Sequence, residues 1–324
     1  MKILSMLFTT SRPLTAVFSF VLTLVGFRFW QPIPWSVALT SAVVYALITG
    51  HIMTYNDYVD RFRDRLKGKW FATLYEKELR LYYLVVAALI LSGIISLGMI
   101  DTKVAVFCGA IWIIGLLYSH IPHWYIVNTE LVAVCSASPV LLGIVYYGEI
   151  RFEPWWLFII FVSVITIREV YKDIEDAPFD QGFKATIPLK QGIPFTVLGL
   201  FSLIYVPVGL LLAYPALWAK AIAFVFAPLA WAQAMLFARL FRWFDTDQRM
   251  REIDAGIKLC KGVLDWIIPG ILVMAFVSEP PGWETDFFAS AVFFGGLLAM
   301  MWSFGGRIRA YFAGLRAAWR GLSR

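Results

Sequence analysis

The chain has 324 residues, of which 60% are hydrophobic and 15% are charged, and its mean hydropathy is +0.73. A soluble domain carries about 25% charged residues, so this composition excludes an ordinary soluble protein. The net charge of +6 does not indicate a nucleic-acid partner, because basic residues beside membrane segments explain it. The chain is therefore predicted to lie in a lipid bilayer.

The apolar stretches have the length of membrane-spanning helices. They run for about 16–23 residues, close to the ~20 that cross ~30 Å of hydrocarbon. Only helices and closed barrels satisfy their backbone in lipid, and continuous apolar runs favour helices. Ten spans are predicted, at residues 14–30, 35–55, 81–99, 103–119, 129–147, 155–171, 194–213, 216–238, 262–278 and 286–305. The fold class is an all-α, polytopic transmembrane helical bundle.

The distribution of basic residues gives the orientation. The apolar run in Met1–Thr10 is too short for a signal peptide, so the first span is expected to be retained. With the N-terminus in the cytoplasm, 24 of the 28 Lys and Arg residues fall on the cytoplasmic side. The four that fall outside are Arg28, Lys103, Arg151 and Lys220. The positive-inside rule therefore favours an integral protein of the cell membrane with both termini in the cytoplasm.

The rest of the chain offers no sign of a second domain. Residues 1–324 are predicted to form a single transmembrane domain, because no soluble segment interrupts the spans. Residues 306–324 alternate Arg with apolar side chains, which is typical of a basic amphipathic tail at the membrane surface. Cys108, Cys135 and Cys260 are far apart and are predicted to be packing residues.

Two acidic clusters follow the second and the sixth predicted spans. The spacing of three and then four residues is the same in Asp57, Asp60 and Asp64 as in Asp173, Asp176 and Asp180. At about 100° per residue, such positions share one face of a helix. Pro178 is expected to break the second helix before Asp180. Because both spans are even-numbered, both clusters are predicted to lie at the cytoplasmic face.

Clusters of this kind indicate a function, because carboxylates that share a helix face repel one another. Solvation explains a single Asp beside a membrane span, but not two identically spaced triads. Opposed clusters would bind Mg²⁺, which takes one or two carboxylates together with water and phosphate. Mg²⁺ on a diphosphate stabilises the leaving group when a C–O bond breaks. The nearby cations suited to diphosphate oxygens are Arg61, Lys67, Lys69, Lys172 and Lys184.

The residues around these clusters resemble the motifs of the UbiA superfamily of intramembrane prenyltransferases. Asn56-Asp57-x-x-Asp60-x-x-x-Asp64 is similar to the first signature, NDxxDxxxD, and Lys172-Asp173-x-x-Asp176-x-x-x-Asp180 is similar to the second motif. Ser11-Arg12-Pro13 and Lys184-Ala185-Thr186-Ile187-Pro188 are also similar to stretches of that family. Order and spacing match from residue 11 to about residue 280.

The resemblance implies about nine or ten helices around a central cavity, in two halves that each carry one motif. It also implies that both motifs bind Mg²⁺ on the diphosphate of an allylic polyprenyl substrate, whose tail lies in an apolar cavity. The implied metal ligands are Asn56, Asp57, Asp60, Asp64, Asp173, Asp176 and Asp180. Of these, Asp60, Asp64, Asp176 and Asp180 are the expected catalytic residues. Arg12 and His123 join the five cations above as candidate substrate-binding residues.

Three features depart from the family pattern. Members usually carry a Pro- and Arg-rich stretch after the first motif, where this chain has Lys67-Gly68-Lys69-Trp70-Phe71. Many have a Lys or Arg shortly after a Tyr-Ser that ends the fourth span. Here Tyr118-Ser119 is followed by neither, unless His123 takes that role. Members commonly have nine helices, and ten are predicted here. The first two departures lie where diphosphate or acceptor contacts are expected, so the acceptor stays open.

The leading hypothesis is Mg²⁺-dependent transfer of a polyprenyl group from an allylic diphosphate to a hydrophobic or amphipathic acceptor. The acceptor classes are an aromatic quinone precursor, a glycerol-phosphate lipid and another isoprenoid. The stretch from Arg168 to Pro188 resembles the branch that prenylates glycerol-phosphate lipids. One alternative is a UbiA-type membrane terpene cyclase. Another is a cation transporter, which would favour acidic groups at the bilayer midplane and on both faces; clustering at one face argues against it.

Overall fold

The computed structural model describes residues 13–30, 34–66, 71–121, 125–182 and 184–213, with scattered residues between 220 and 271. Across these described residues the regular structure is helical, and no strand occurs. The predicted all-α class is therefore confirmed. The predictions for the tail at 306–324 and most of those for the last three spans lie outside the described residues, so the count of ten stays a prediction.

The α-helices occur at the first seven predicted spans and in short segments between them. In chain order they are α1 (Pro13–Arg28), α2 (Trp35–Val59), α3 (Arg61–Leu66), α4 (Phe71–Leu74), α5 (Glu76–Ile100), α6 (Thr102–Leu117), α7 (Tyr125–Ala137), α8 (Leu142–Tyr147), α9 (Phe152–Asp180), α10 (Ile187–Gln191), α11 (Ile193–Leu203) and α12 (Tyr205–Ala213). A 3₁₀ turn, Tyr118–His120, follows α6, and another, Ser138–Leu141, joins α7 to α8.

Several of these helices are long and apolar enough to cross a membrane. Five such segments occur in the described residues: Trp35–Val59, Glu76–Ile100, Thr102–His120, Ile126–Tyr147 and Ile193–Ala213. On α5 and α6 many large apolar side chains point outward, and Met99 is 86% exposed. Apolar surface of that extent is stable against lipid and not against water. The chain is an integral membrane protein.

The buried side chains form two apolar clusters that share α1. Phe18, Val21 and Val25 of α1 pack in one cluster with the buried face of α9. Leu24 and Phe27 of the same helix belong to the other cluster, which includes α2, α5 and α6. Because its two faces enter different clusters, α1 connects the half of the bundle that contains the first acidic motif with the half that contains the second.

Two glycines allow α1 to approach the 3₁₀ turn and α8 closely. A Cβ atom at Gly26 would lie 2.6 Å from the carbonyl oxygen of Val140. A Cβ atom at Gly143 would lie 2.2 Å from the Trp30 ring and 2.5 Å from the carbonyl oxygen of Gly26. Helices in membranes associate mainly through close packing, which small residues permit. The two glycines therefore allow α1 to pack closely against the 3₁₀ turn and α8.

Candidate active site

The first acidic motif extends from the last turn of α2 through α3. Asn56 and Asp57 lie on α2, Asp60 stands between the helices, and Asp64 lies on α3. The backbone N–H of Asp60 donates to the carbonyl of Asn56 at 2.8 Å, and that of Asp64 donates to Asp60 at 2.9 Å. These are the hydrogen bonds of an α-helix. The chain therefore keeps a nearly helical course, although α2 ends at Val59.

The second motif lies entirely on α9. This helix continues to Asp180 with Pro178 inside it, so the predicted break before Asp180 is wrong. Pro178 removes one backbone donor, but the same stretch of helix is packed against the protein through the buried residues Ile174 and Ala177. Asp173 and Asp180 are 7% and 1% exposed, and Asp176 is half-buried. The motif therefore points into the protein.

Residues of both motifs line one polar cavity of about 40 Å³ between α2, α3, α7 and α9. Its oxygen-bearing side chains include Asn56, Asp60, Glu169, Asp173 and Asp176. Three cations, Arg63, Lys172 and Lys184, also line it. The volume has room for a few water molecules. The sequence prediction that the two motifs are opposed across a cavity thus agrees with the arrangement of their side chains.

Burial disfavours the ionised form of two carboxylates of the cavity. Burial raises the pKa of Asp60, against the opposing effects of Arg63 and then Lys184. Burial also raises the pKa of Asp173 to about 6, although Lys184 and Lys172 oppose it. Further positive charge nearby stabilises the ionised form of such a carboxyl. The cavity is therefore suited to binding cations.

Two residues that were not predicted from the sequence, Thr129 and Arg63, contact these carboxylates. Thr129 of α7 donates a hydrogen bond through Oγ1 to Oδ2 of Asp173 at 3.3 Å. Arg63 donates a hydrogen bond to Oδ2 of Asp60, and its Nε lies 3.5 Å from Oδ1 of Asp180. The spacing of three between Asp60 and Arg63 was a possible signal for an ion pair. No local pattern points to Thr129, because its partner is distant in sequence.

Six of the predicted site residues line the cavity: Asn56, Asp60, Lys172, Asp173, Asp176 and Lys184. Asp57 and Asp64 are half-buried and do not line it. Asp180 is buried and reaches the site through Arg63. Four further predicted residues, Arg12, Lys67, Lys69 and His123, lie outside the described residues.

Arg61 has other partners. Its Nη1 donates to the carbonyl of Tyr58 at 2.8 Å, and its guanidinium lies 4.4 Å from the Tyr58 ring and 4.5 Å from the Phe62 ring. Glu76 is 3.9 Å away. The structure therefore does not bring Arg61 to the cavity, where its neighbour in sequence, Arg63, lies instead.

The donor atoms of the cavity suit Mg²⁺, which prefers carboxylate and amide oxygens. Within the described part of the chain, no group of three or more His, Cys, Asp or Glu side chains is gathered as the ligands of one ion. Such a group is not required, since Mg²⁺ usually takes one or two carboxylates and completes its shell with water and phosphate. The residues present therefore fit Mg²⁺ that is shared with a phosphate-bearing ligand.

A second, apolar cavity of about 30 Å³ adjoins the polar one. Met53, Tyr118 and Val132 line both cavities. Farther from the acidic motifs the apolar cavity ends at Tyr45, whose hydroxyl lies 3.2 Å from Oγ of Ser138. Together the two cavities suit a ligand with an anionic head, which the polar cavity would bind, and an apolar tail, which the apolar cavity would bind.

Three solved structures have a similar fold. One, from work on digeranylgeranylglyceryl phosphate synthase in membranes, has a TM-score of 0.60 and 17% identity, and the match covers 85% of this chain and 99% of that one. An apo UbiA homolog from Aeropyrum pernix K1 has a TM-score of 0.57 and 17% identity over 80% and 97%. A UbiA homolog from Archaeoglobus fulgidus bound to GPP and Mg²⁺ has a TM-score of 0.55 and 18% identity over 81% and 99%.

At these identities the likeness shows a shared fold. No curated protein matches the chain. The family described as the UbiA prenyltransferase family matches residues 14–254, which is most of the chain and contains both acidic motifs. The resemblance found in the motifs is thereby confirmed: this chain belongs to the UbiA prenyltransferase family.

Proposed function

We propose that this prenyltransferase moves a polyprenyl group from an allylic diphosphate to an acceptor in a Mg²⁺-dependent reaction. The observation that carries the proposal is the junction of the two cavities at Met53, Tyr118 and Val132. The diphosphate would occupy the polar side, and the polyprenyl tail would extend along the apolar side toward Tyr45. The homolog from Archaeoglobus fulgidus bound to GPP and Mg²⁺ supports the same pair of ligands.

The residues of the polar cavity have distinct roles in this proposal. Asn56, Asp60, Asp173 and Asp176 would hold Mg²⁺, and Lys172 and Lys184 would contact phosphate oxygens. Asp57, Asp64 and Asp180 stay predicted ligands that do not line the cavity. Bound Mg²⁺ neutralises the charge that develops on the leaving diphosphate. At the junction of the two cavities, the apolar side chains of Met53 and Val132 would limit the access of water to the reacting carbon, which water would otherwise hydrolyse.

The reaction balances without an oxidant or a reductant. The bond between the allylic carbon and the diphosphate oxygen breaks, and the electron pair leaves with the diphosphate. The allylic carbon then forms a bond to a nucleophilic carbon or oxygen of the acceptor, which loses a proton to water or to the released diphosphate. Tyr118 lines both cavities, so its ring is suited to stabilising the positive charge on the allylic carbon.

The acceptor classes remain an aromatic quinone precursor, a glycerol-phosphate lipid and another isoprenoid. The glycerol-phosphate lipid is the first to test, because one solved relative is described as digeranylgeranylglyceryl phosphate synthase. Purified protein in nanodiscs would receive labelled allylic diphosphates, Mg²⁺ and each acceptor in turn, with EDTA as the control. We expect a prenylated product identified by mass. Release of diphosphate with a hydrocarbon product and no acceptor would instead indicate a cyclase, and EDTA-insensitive turnover would contradict the Mg²⁺ requirement.

We also propose that residues 1–324 form one transmembrane domain of two motif-bearing halves, with the termini and the polar cavity on the cytoplasmic side. The distribution of Lys and Arg supports this orientation. The exposed residues Glu149 and Lys190 lie in connections predicted on opposite sides. In a background without native cysteines, an impermeant thiol reagent added to intact cells should label Glu149→Cys and leave Lys190→Cys unlabelled. Labelling of Lys190→Cys but not of Glu149→Cys would show that the orientation is opposite to the proposed one.

A further inference from the structure

Arg63 connects the two acidic motifs across the polar cavity. Its guanidinium donates a hydrogen bond to Oδ2 of Asp60 in the first motif. Its Nε forms an ion pair of 3.5 Å with Oδ1 of Asp180 in the second motif. The Arg63 side chain is 13% exposed and that of Asp180 is 2% exposed. A largely buried cation therefore stands between carboxylates that come from opposite halves of the chain.

Arg63 and a metal ion would need the same oxygen atoms. Oδ2 of Asp60 accepts hydrogen bonds from both Arg63 and Nδ2 of Asn56, the latter at 3.2 Å. Two such bonds use both lone pairs of that oxygen, so a metal ion that binds it competes with Arg63 and Asn56 for the same lone pairs. The guanidinium cannot give up its charge by deprotonation. When it leaves Asp60 it therefore keeps its charge, next to Asp180 and to any anion bound in the cavity.

The position of Arg63 places it beside any anion that binds in the cavity. Arg63 lines the cavity together with Lys172 and Lys184, so its guanidinium lies close to a phosphate group bound there. Guanidinium groups bind phosphate oxygens through two parallel N–H donors. A bound diphosphate would thus supply the partner that Arg63 loses.

We infer that Arg63 is a positioning residue that takes the place of a divalent cation at Asp60 and transfers to the diphosphate when Mg²⁺ and diphosphate bind together. The inference rests on the proposed function. It has a thermodynamic consequence: Arg63 opposes the binding of Mg²⁺ alone and favours the binding of Mg²⁺ with diphosphate. Coupling of this kind is reciprocal, so the donor recruits its own metal.

The test measures affinity rather than turnover. The full chain in nanodiscs would be titrated calorimetrically with Mg²⁺ alone, and then with inorganic pyrophosphate at saturating Mg²⁺. In Arg63→Met we expect Mg²⁺ alone to bind about tenfold more tightly and pyrophosphate about tenfold more weakly, within the usual range of coupling between sites. Arg65→Met removes the same charge from the exposed side of the same helix, and both affinities should match the unsubstituted protein.

Arg63→Lys keeps the charge but presents a single ammonium in place of the planar fork. Its two affinities should fall between those of the unsubstituted protein and those of Arg63→Met. If Arg63→Met does not fold, Arg63→Lys is compared with the unsubstituted protein instead. Loss of thermal stability with both affinities unchanged would make Arg63 a purely structural residue and overturn the inference. Mg²⁺ binding that Asp176→Asn abolishes but Arg63 variants leave unchanged would overturn the inference alone. Absence of Mg²⁺-dependent pyrophosphate binding in the unsubstituted protein would overturn the proposed function as well.

Discussion

Thr129 on α7 and Asp173 on α9 are joined by a buried hydrogen bond of 3.3 Å between Oγ1 and Oδ2. The two residues are 5% and 7% exposed, so the orientation of this carboxylate is set by its protein neighbour and not by solvent. Outer-shell hydrogen bonds of this kind fix the direction of a metal-binding carboxylate. The contact also connects the first half of the chain with the second acidic motif.

Thr129→Val removes this hydrogen bond and nearly conserves the side-chain volume. We expect the affinity for Mg²⁺ in the presence of pyrophosphate to fall about tenfold, the lower end of the usual effect of losing an outer-shell partner. Calorimetric titration measures it. Thr129→Ser keeps the hydroxyl and should bind as the unsubstituted protein does. Equal affinities in the Val and Ser variants would show that the hydrogen bond does not orient Asp173.

Asp176→Asn tests the acidic motif against a carboxylate next to it on the same helix. Asp176 lines the polar cavity, whereas Glu175 pairs with Lys261. We expect Asp176→Asn to lower diphosphate release by at least about a hundredfold, as loss of one electrostatic contributor to a leaving group often does. The thermal stability should not fall, since repulsion among the carboxylates decreases. Release is measured with a phosphate-coupled assay after pyrophosphatase treatment.

Glu175→Gln is the matched control, because it removes a carboxylate one position away that does not line the cavity. It should retain diphosphate release, with a small loss of stability from the ion pair with Lys261. A Glu175→Gln variant as inactive as Asp176→Asn would show that general charge, and not the cavity, governs the reaction.

Tyr45→Ala should let the enzyme accept longer donors. Tyr45 is 1% exposed and lines the end of the apolar cavity, so its removal lengthens the space for a polyprenyl tail. Each buried methylene contributes about 0.8 kcal/mol, so full burial of one more five-carbon unit would contribute about 4 kcal/mol and favour the longer donor by up to about a thousandfold. The measurement is kcat/KM for donors of graded length. Tyr45→Phe loses only the contact with Ser138 and should leave the preference for donor length unchanged. If Tyr45→Ala also kept the original preference, Tyr45 would not limit the length of the donor.

Gly143→Ala should destabilise the junction between α1 and α8. Its Cβ would meet the Trp30 ring at 2.2 Å and the Gly26 carbonyl oxygen at 2.5 Å, distances that force a backbone shift. Overpacking of this kind costs about 1–3 kcal/mol in the free energy of unfolding, measured by titration with a denaturing detergent. Among the described residues, a Cβ atom at Gly109 on α6 would meet no neighbouring element within 4 Å. Gly109→Ala should therefore keep or slightly raise the stability, and equal losses in both variants would contradict the packing argument.

The sequence by itself determined the elements and the chemical type of the site. Runs of apolar residues long enough to cross lipid predicted the helices, because the need to satisfy the backbone in a bilayer depends only on local composition. The two Asp triads predicted a paired site, because helical periodicity relates spacing to direction. Both inferences use properties of neighbouring residues, which are fully contained in the sequence.

The tertiary structure decided which side chains reach the cavity. Arg61 and Arg63 both lie on α3, and two positions that are two residues apart on a helix differ by about 200° in direction. The spacing of three favours the pair of Arg63 with Asp60, but only the packing of α3 beside α9 brings Arg63 to Asp180, while Arg61 lies on Tyr58 and Phe62. The same holds for Pro178: its local effect is to break a helix, and the buried residues around it outweigh that effect and carry α9 on to Asp180.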